Sequence, residues 1–221
     1  LINRDNPLAE DFVPEHLIDI GIPFDAEPGD PRRLLESDTA RAASRLFHAG
    51  RQHGLCLWGV SGYRSYQRQK ELFTGDPYVA APGTSEHQSG LALDVSCPEN
   101  HMELTEAFAD TGEGQWLKRN ASLYGFIIRY PRNKEIITGV PYEPWHIRYV
   151  GQPHATLIAR NRLTLESYLD SLTPGTFYAY GDWLISLQPI GESYRFPAEY
   201  ESLTVSPDNR GNLLFTFTVK D

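Results

Sequence analysis

Hydrophobic and polar positions alternate along this chain with two different periods, and the changes of period mark its elements. Ala42, Leu46 and Ala49 recur at helical spacing, Ser37 or Asp38 stands where an N-cap belongs, and Gly54 closes the run, so a helix is predicted between them. The following apolar run, Leu55 to Val60, reads as a buried strand that opens at Gly62 into a turn. Ser65 is placed to cap a short helix through Phe73, and Thr74 to Thr84, rich in Gly, Pro and Ala, reads as a loop. Gly90 introduces a strand in which Leu91, Leu93 and Val95 face one way and Ala92, Asp94 and Ser96 the other. A helix over about 113–124 should stop at Gly125; Phe126 to Tyr130 reads as a strand and Pro131 to Thr138 as a polar turn. A further strand is expected over His146 to Val150, then helical segments from Pro153 to about Leu169.

The two ends differ from this middle. Residues 1–37 carry several prolines and Asp/Asn turn formers around short apolar runs such as Leu17 to Ile22, the pattern of an irregular lead-in. From Thr173 the chain turns aromatic and β-branched, and SPDNRG (Ser206 to Gly211) is a turn signal between YESLTV and NLLFTFTV. The expected organisation is a domain over 1–170 followed by a small β-rich extension over 171–221, made of two or more hairpins.

Composition narrows the function classes. The 221 residues are 40% hydrophobic and 22% charged, enough for a substantial core. No stretch approaches the roughly 18 apolar residues that span a bilayer. A net charge of -9 with scattered basic residues argues against nucleic-acid binding. The chain opens on Leu1 rather than methionine, as expected of a processed or truncated piece, so the absence of a signal peptide or anchor from it is uninformative. Cys56 and Cys97 are too few for a disulfide scaffold; they are either two free thiols or one bridge.

The candidate chemistry lies in SEHQSGLALDVS (Ser85 to Ser96) and EPWH (Glu143 to His146). A catalytic zinc takes three protein ligands and leaves a position open. His87, Asp94 and His146 supply two imidazoles and a carboxylate, Gly90 lets the backbone turn between the first two, and small Ala92 leaves room for an ion. Glu143 stands three residues before His146, a spacing that a tight turn would bring to one side. A carboxylate beside a metal but not bound to it suits a general base. Taken singly, each residue has a plainer reading: a hydrogen-bonded histidine, a turn-capping aspartate, a Pro-Trp pair at the start of a strand.

Together the segments carry a resemblance. Ser85-x-His87-x-x-Gly90-x-Ala92-x-Asp94 with Glu143-x-x-His146 is similar to the motif set of the zinc D-alanyl-D-alanine carboxypeptidases, the VanY and LdcB-like peptidases of family M15B. SGYRS (Ser61 to Ser65), EGQWLKRNASLYGFIIRYP (Glu113 to Pro131), YEPWHIRYVG (Tyr142 to Gly151) and the lead-in LINRDNPLAEDFVPE resemble family segments in the family's order, covering roughly residues 1–170. The extension is not part of the resemblance.

The resemblance implies an α+β fold: a small antiparallel sheet with flanking helices and one zinc ion in a cleft on the sheet. It implies His87, Asp94 and His146 as ligands and Glu143 as general base on zinc-bound water. It also implies that Arg64 reaches the scissile carbonyl and that Ser85 helps hold the substrate's terminal carboxylate. Gln67 is a lesser candidate for substrate contact, and Trp145 either walls the cleft or packs in the core. Arg129 and Arg148 are expected as exposed cross-strand partners, or else as supports of Glu143 or Asp94. If strands 55–60 and 91–96 run antiparallel with Arg64 and His87 meeting at one end, Cys56 and Cys97 come near each other at the other, the placement that a disulfide between them requires.

The implied reaction is removal of the C-terminal D-alanine from a peptidoglycan stem peptide or precursor, outside the cytoplasm. L,D-carboxypeptidase action on tetrapeptide stems, D,D-dipeptidase and wall endopeptidase action share the fold. The short apolar loop Thr74 to Thr84 favours an open cleft over a closed dipeptide pocket. A non-catalytic zinc-containing wall-binding module is the alternative from another class, and the presence of Glu143 argues against it.

Overall fold

The structure, a computed structural model, describes residues 1–19, 21–76, 78–191 and 193–219. Ile20 of the run Leu17 to Ile22, Pro77 of the apolar loop, and Glu192, Lys220 and Asp221 of the extension lie outside the described residues. The chain divides into two compact units: residues 2–164, and residues 165–221 together with Leu1.

In the larger unit the lead-in is not featureless. Two-residue strands β1 (Leu17–Ile18) and β2 (Leu35–Glu36) pair antiparallel. Phe24 enters the core over Gly59, where an added Cβ would stand 2.4 Å from its ring. Helix α1 (Ser37–Gln52) buries Ala42, Ala43, Leu46 and Phe47 along one stripe. Its cap is Glu36, whose carboxylate accepts from the backbone N–H of Asp38 and Thr39, rather than the Ser37 or Asp38 read from the sequence. Strand β3 (Trp58–Ser61) starts three residues later than its apolar run. Ser65 caps α2 (Tyr66–Leu72) by accepting from Arg68 N–H, as expected. The loop to Thr84 carries no regular element among its described residues.

Strand β4 (Ala92–Ser96) is buried at every position. Leu93 and Val95 join the apolar core while Asp94 faces the other side, the alternation read from the sequence. Helix α3 (Gly112–Asn120) tightens into a 3-10 turn over Ala121–Tyr124, and Gly125, at φ 87°, ends it. Then come β5 (Phe126–Tyr130), the short α4 (Glu135–Thr138) inside the predicted polar turn, β6 (Glu143–Tyr149) and α5 (His154–Arg160). The sheet is antiparallel throughout, in the order β3-β4-β6-β5. Among the described residues no helix is long and apolar enough to cross a membrane.

The sheet also settles the cysteines: both are free thiols, Cys97 buried in the core and Cys56 exposed. Trp58 pairs with Ser96, so continuing that register sets Cys97 against Leu57 and turns Cys56 to the opposite face. The Cys56 N–H instead donates to Glu113, 2.9 Å away.

The smaller unit holds α6 (Leu165–Asp170) and four strands: β7 (Phe177–Tyr180), β8 (Trp183–Pro189), β9 (Ser202–Pro207) and β10 (Asn212–Thr218). They form an antiparallel sheet in the order β7-β8-β10-β9, built on two hairpins. Ile185, Leu187, Phe215 and Phe217 are its buried apolar positions. The turn read at SPDNRG closes β9 to β10, with the Asp208 carboxylate accepting from the N–H of Arg210 at 2.7 Å and of Asn212 at 2.9 Å.

Candidate metal centre

The register of the central strands builds the site. Asp94 on β4 and His146 on β6 are direct cross-strand partners, so their side chains leave the same face as neighbours. Asp94 Oδ1 lies 2.9 Å from His146 Nδ1. His87 arrives from a different element, the 3-10 turn Glu86–Ser89, which Gly90 terminates at φ 69°. A Cβ at Gly90 would stand 2.9 Å from Glu36 N, so glycine serves both the turn and the close approach. The Arg64 N–H donates to His87 O at 3.2 Å, the meeting of these two residues that the antiparallel pairing implied.

His87 Nδ1 is 2.7 Å from Gly62 O, so that nitrogen carries the proton and Nε2 keeps its lone pair. Nε2 points at Asp94 Oδ2, 3.1 Å away. One ligand atom from each of His87, Asp94 and His146 can be chosen so that all lie within 4.8 Å of one another, and all three residues are buried. Two imidazole nitrogens and a carboxylate converging in this way fit a zinc site.

Glu143 reaches this point by a route that the sequence did not suggest. It lies on β6 itself, not on a turn before it. In a regular strand, residues three apart face opposite sides. Here Ile147 pairs with Ile128 and Glu143 with Tyr130, so four steps along β6 oppose two along β5. This bulge re-aims Glu143 to the face of His146, bringing its Oε2 to 3.8 Å from His146 Nδ1.

The charges are arranged asymmetrically. Burial, aided by Asp94 and Glu86 and only partly offset by His146 and Arg64, pushes the Glu143 carboxyl up to about 7. Burial also disfavours charge on Asp94, but His87 and His146 outweigh it and hold that carboxyl far below its ordinary range. Burial pushes His87 down. On His146 the same burial is overcome by Asp94 and Glu86, which raise it to about 9.

A cleft of about 560 Å³ opens over these groups, lined also by Arg64, Ser85, Trp145, Tyr78 and Tyr130. Arg64 is braced by two hydrogen bonds, Nη1 to Gln69 Oε1 and Nη2 to Ser61 Oγ, both 2.9 Å. Ser85 is buried at the cleft wall. Trp145 does both things considered for it, packing in the core and lining the cleft, with its ring 6.4 Å from that of Tyr78. Gln67 is not brought in: it is exposed on the outer side of α2, and Gln69, about 200° further round the helix, is the buried glutamine that holds Arg64.

Arg129 and Arg148 are not exposed cross-strand partners. Arg129 is 0% exposed, the largest fully buried side chain among the described residues, and Arg148 is buried too. Among the described residues neither forms an ion pair with Glu143 or Asp94. Both go to Glu86: Arg129 Nε donates to Oε1 at 2.8 Å, and Arg148 Nη1 lies 2.7 Å from the same oxygen. Burial alone would raise the Glu86 carboxyl, but the two guanidiniums hold it well below its ordinary value. Glu86 and the neighbouring Tyr130, whose ring lies 4.9 Å from that of His146, were not singled out from the sequence. A signal for Glu86 existed: arginines inside the apolar strands FIIRY and HIRYV require a buried counter-ion.

The chain as a whole is similar to known proteins. The family model VanY, described as D-alanyl-D-alanine carboxypeptidase, matches residues 32–152. YodJ of Bacillus subtilis (strain 168), named as a carboxypeptidase, is 43% identical over 182 residues, which are 78% of this chain and 67% of that relative. The structure of the LdcB LD-carboxypeptidase superposes with a TM-score of 0.76 at 43% identity, covering 78% of this chain and 86% of that one. A vancomycin-resistance D,D-pentapeptidase, VanY from a VanB-type cassette solved with Zn(II), gives a TM-score of 0.62 at 34% identity over 76% of this chain and 97% of that one.

Proposed function

The chain belongs to the VanY D-alanyl-D-alanine carboxypeptidase family, and on that premise we propose that it removes the C-terminal D-alanine from peptidoglycan stem peptides. The observation that carries this reading is the convergence of His87, Asp94 and His146 in one cleft with Glu143 and Arg64. The proposed cofactor is one zinc ion held by those three residues; the donor set fits it, and a family relative solved with Zn(II) supports it. When bound, zinc supplies Lewis acidity to a carbonyl and to water.

The remaining work falls to side chains. Glu143 takes a proton from the attacking water and returns it to the leaving amine. A carboxyl raised to about 7 by burial suits both halves of that exchange near neutral pH. Arg64, held in place by Ser61 and Gln69, offers its guanidinium to the oxygen on which negative charge develops, a contribution on the order of 3 kcal/mol. Ser85 binds the terminal carboxylate, and Trp145 with Tyr78 forms the apolar wall that excludes water. The catalytic domain is read as 1–170 with 171–221 as an extension, acting on the wall side of the cytoplasmic membrane without a nucleic-acid partner.

The likeness to the LdcB LD-carboxypeptidase favours a second reading, release of D-alanine from tetrapeptide stems. D-Alanine release from pentapeptide and tetrapeptide stems, followed by mass on zinc-loaded protein, separates the two. Glu143→Ala should lower the rate by roughly 10²–10⁴-fold while zinc stays bound. Stoichiometric zinc with no release from either stem would count against both carboxypeptidase readings.

A further inference from the structure

We propose that Glu86 is a positioning residue for His146: one carboxylate oxygen faces Nε2 of the imidazole and thereby presents Nδ1 to the metal. This inference rests on the metal reading above. The Glu86 side chain is wholly buried. Its Oε1 accepts from Arg129 Nε of β5 at 2.8 Å, and Arg148 Nη1 of β6 stands 2.7 Å from the same oxygen as an ion pair without hydrogen-bond geometry. Its Oε2 is left 3.6 Å from His146 Nε2. Among the described residues neither of these two atoms has a hydrogen-bond partner, and both are buried.

The way the arginines bind distinguishes this cluster from an ordinary ion pair. Buried arginine–carboxylate pairs favour a fork in which both oxygens are used. Here two guanidiniums crowd one oxygen, and the second is reserved for the ring. On the far side of the ring, Nδ1 faces Asp94 Oδ1 at 2.9 Å and Glu143 Oε2 at 3.8 Å. An imidazole that binds a metal through one nitrogen carries its proton on the other. A carboxylate at that N–H sets the tautomer and the rotation of the ring and makes it a better ligand. Two arginines from adjacent strands keep the carboxylate ionised and stop it from turning.

The test is Glu86→Gln, which keeps the shape. The arginines retain the amide oxygen, so the amide NH₂ turns to Nε2 and drives the ring proton toward Nδ1. Zinc affinity, measured by chelator competition, should fall by roughly 10–100-fold. The Nε2–H resonance of His146 in ¹⁵N-labelled, zinc-saturated protein should be lost or displaced. Glu86→Asp keeps the charge for the arginines but withdraws it from the ring; it should change both readouts in the same direction, and it stands in if the glutamine variant does not fold. A folded variant with zinc affinity within about twofold of the wild type and an unchanged N–H resonance would overturn the proposal, since a merely structural Glu86 predicts that result. Wild-type protein without zinc affinity would overturn the metal reading as well, whereas equal affinities in wild type and variant overturn this inference alone.

Discussion

Two buried glutamates stand on opposite sides of His146, and they have opposite electrostatic fates. Glu86, behind the ring, is clamped by Arg129 and Arg148 and held ionised. Glu143, in front of it, forms no ion pair with an arginine among the described residues; Arg64 offsets only part of the burial that lifts it to about 7. The residue type is the same and both side chains are buried, Glu86 wholly and Glu143 at the cleft with 7% of its side chain exposed. Adjacent cations decide whether a buried carboxylate is a fixed charge or a group that exchanges protons. A fixed charge suits positioning, and an exchangeable proton suits general-base work.

The largest effect is expected where the clamp is broken. Arg129→Met removes the guanidinium that donates to Glu86 at 2.8 Å and leaves that buried carboxylate, among the described residues, with Arg148 as its remaining arginine and His146 at 3.6 Å. Removing one partner of a buried pair typically costs about 3–5 kcal/mol. Arg148 compensates part of this buried, half-paired charge, so a loss toward the lower end of that range is expected in urea unfolding of metal-free protein. A loss well under about 1 kcal/mol would mean that Glu86 is not held by this pair and would break the contrast.

The second prediction runs the other way. Glu143 has an ordinary pKa of 4.5 and a folded value of about 7. Between those values the unfolded chain has released the proton and the folded chain still holds it. Stability is therefore lost as pH rises from 4.5 through 7, by about 3 kcal/mol in all. Glu143→Gln carries no charge and escapes the loss. In metal-free protein it should match the wild type near pH 4.5 and exceed it by up to about 3 kcal/mol at pH 8, even though it removes the proposed base. Equal stability of the two proteins at both pH values would show that Glu143 is not strained by burial.

How visible this contrast was in the sequence depended on what each residue required. The helices, the strand face that carries Asp94, the Gly125 stop and the SPDNRG turn follow local rules of period and capping, and those are written in consecutive residues. His87, Asp94, Glu143 and His146 stood out because their spacing forms a motif. Glu143 was identified for a reason that the fold replaces: its orientation comes from a two-residue bulge against β5, a property of pairing between distant strands. Arg129 and Arg148 looked like surface residues because their counter-ion lies 43 positions from the first of them in sequence. Gln67 and Gln69 differ only in helix face, which depends on where α2 packs.

A third glutamate extends the comparison to solvent and should show the smallest effect. Glu106 lines the same cleft and pairs with Arg132 at 3.0 Å, but both side chains are at least half exposed, at 50% and 61%. Water screens such a pair, and holding two long side chains together costs entropy. Arg132 also rests on the Tyr142 ring, 4.6 Å from its centroid, so it keeps a favourable position without Glu106. Glu106→Gln should therefore cost no more than about 1 kcal/mol in unfolding, and less at high salt. A cost approaching that of Arg129→Met, insensitive to salt, would show that the rim pair is desolvated like the clamp. The ranking of the three glutamates by burial and paired charge would then fail.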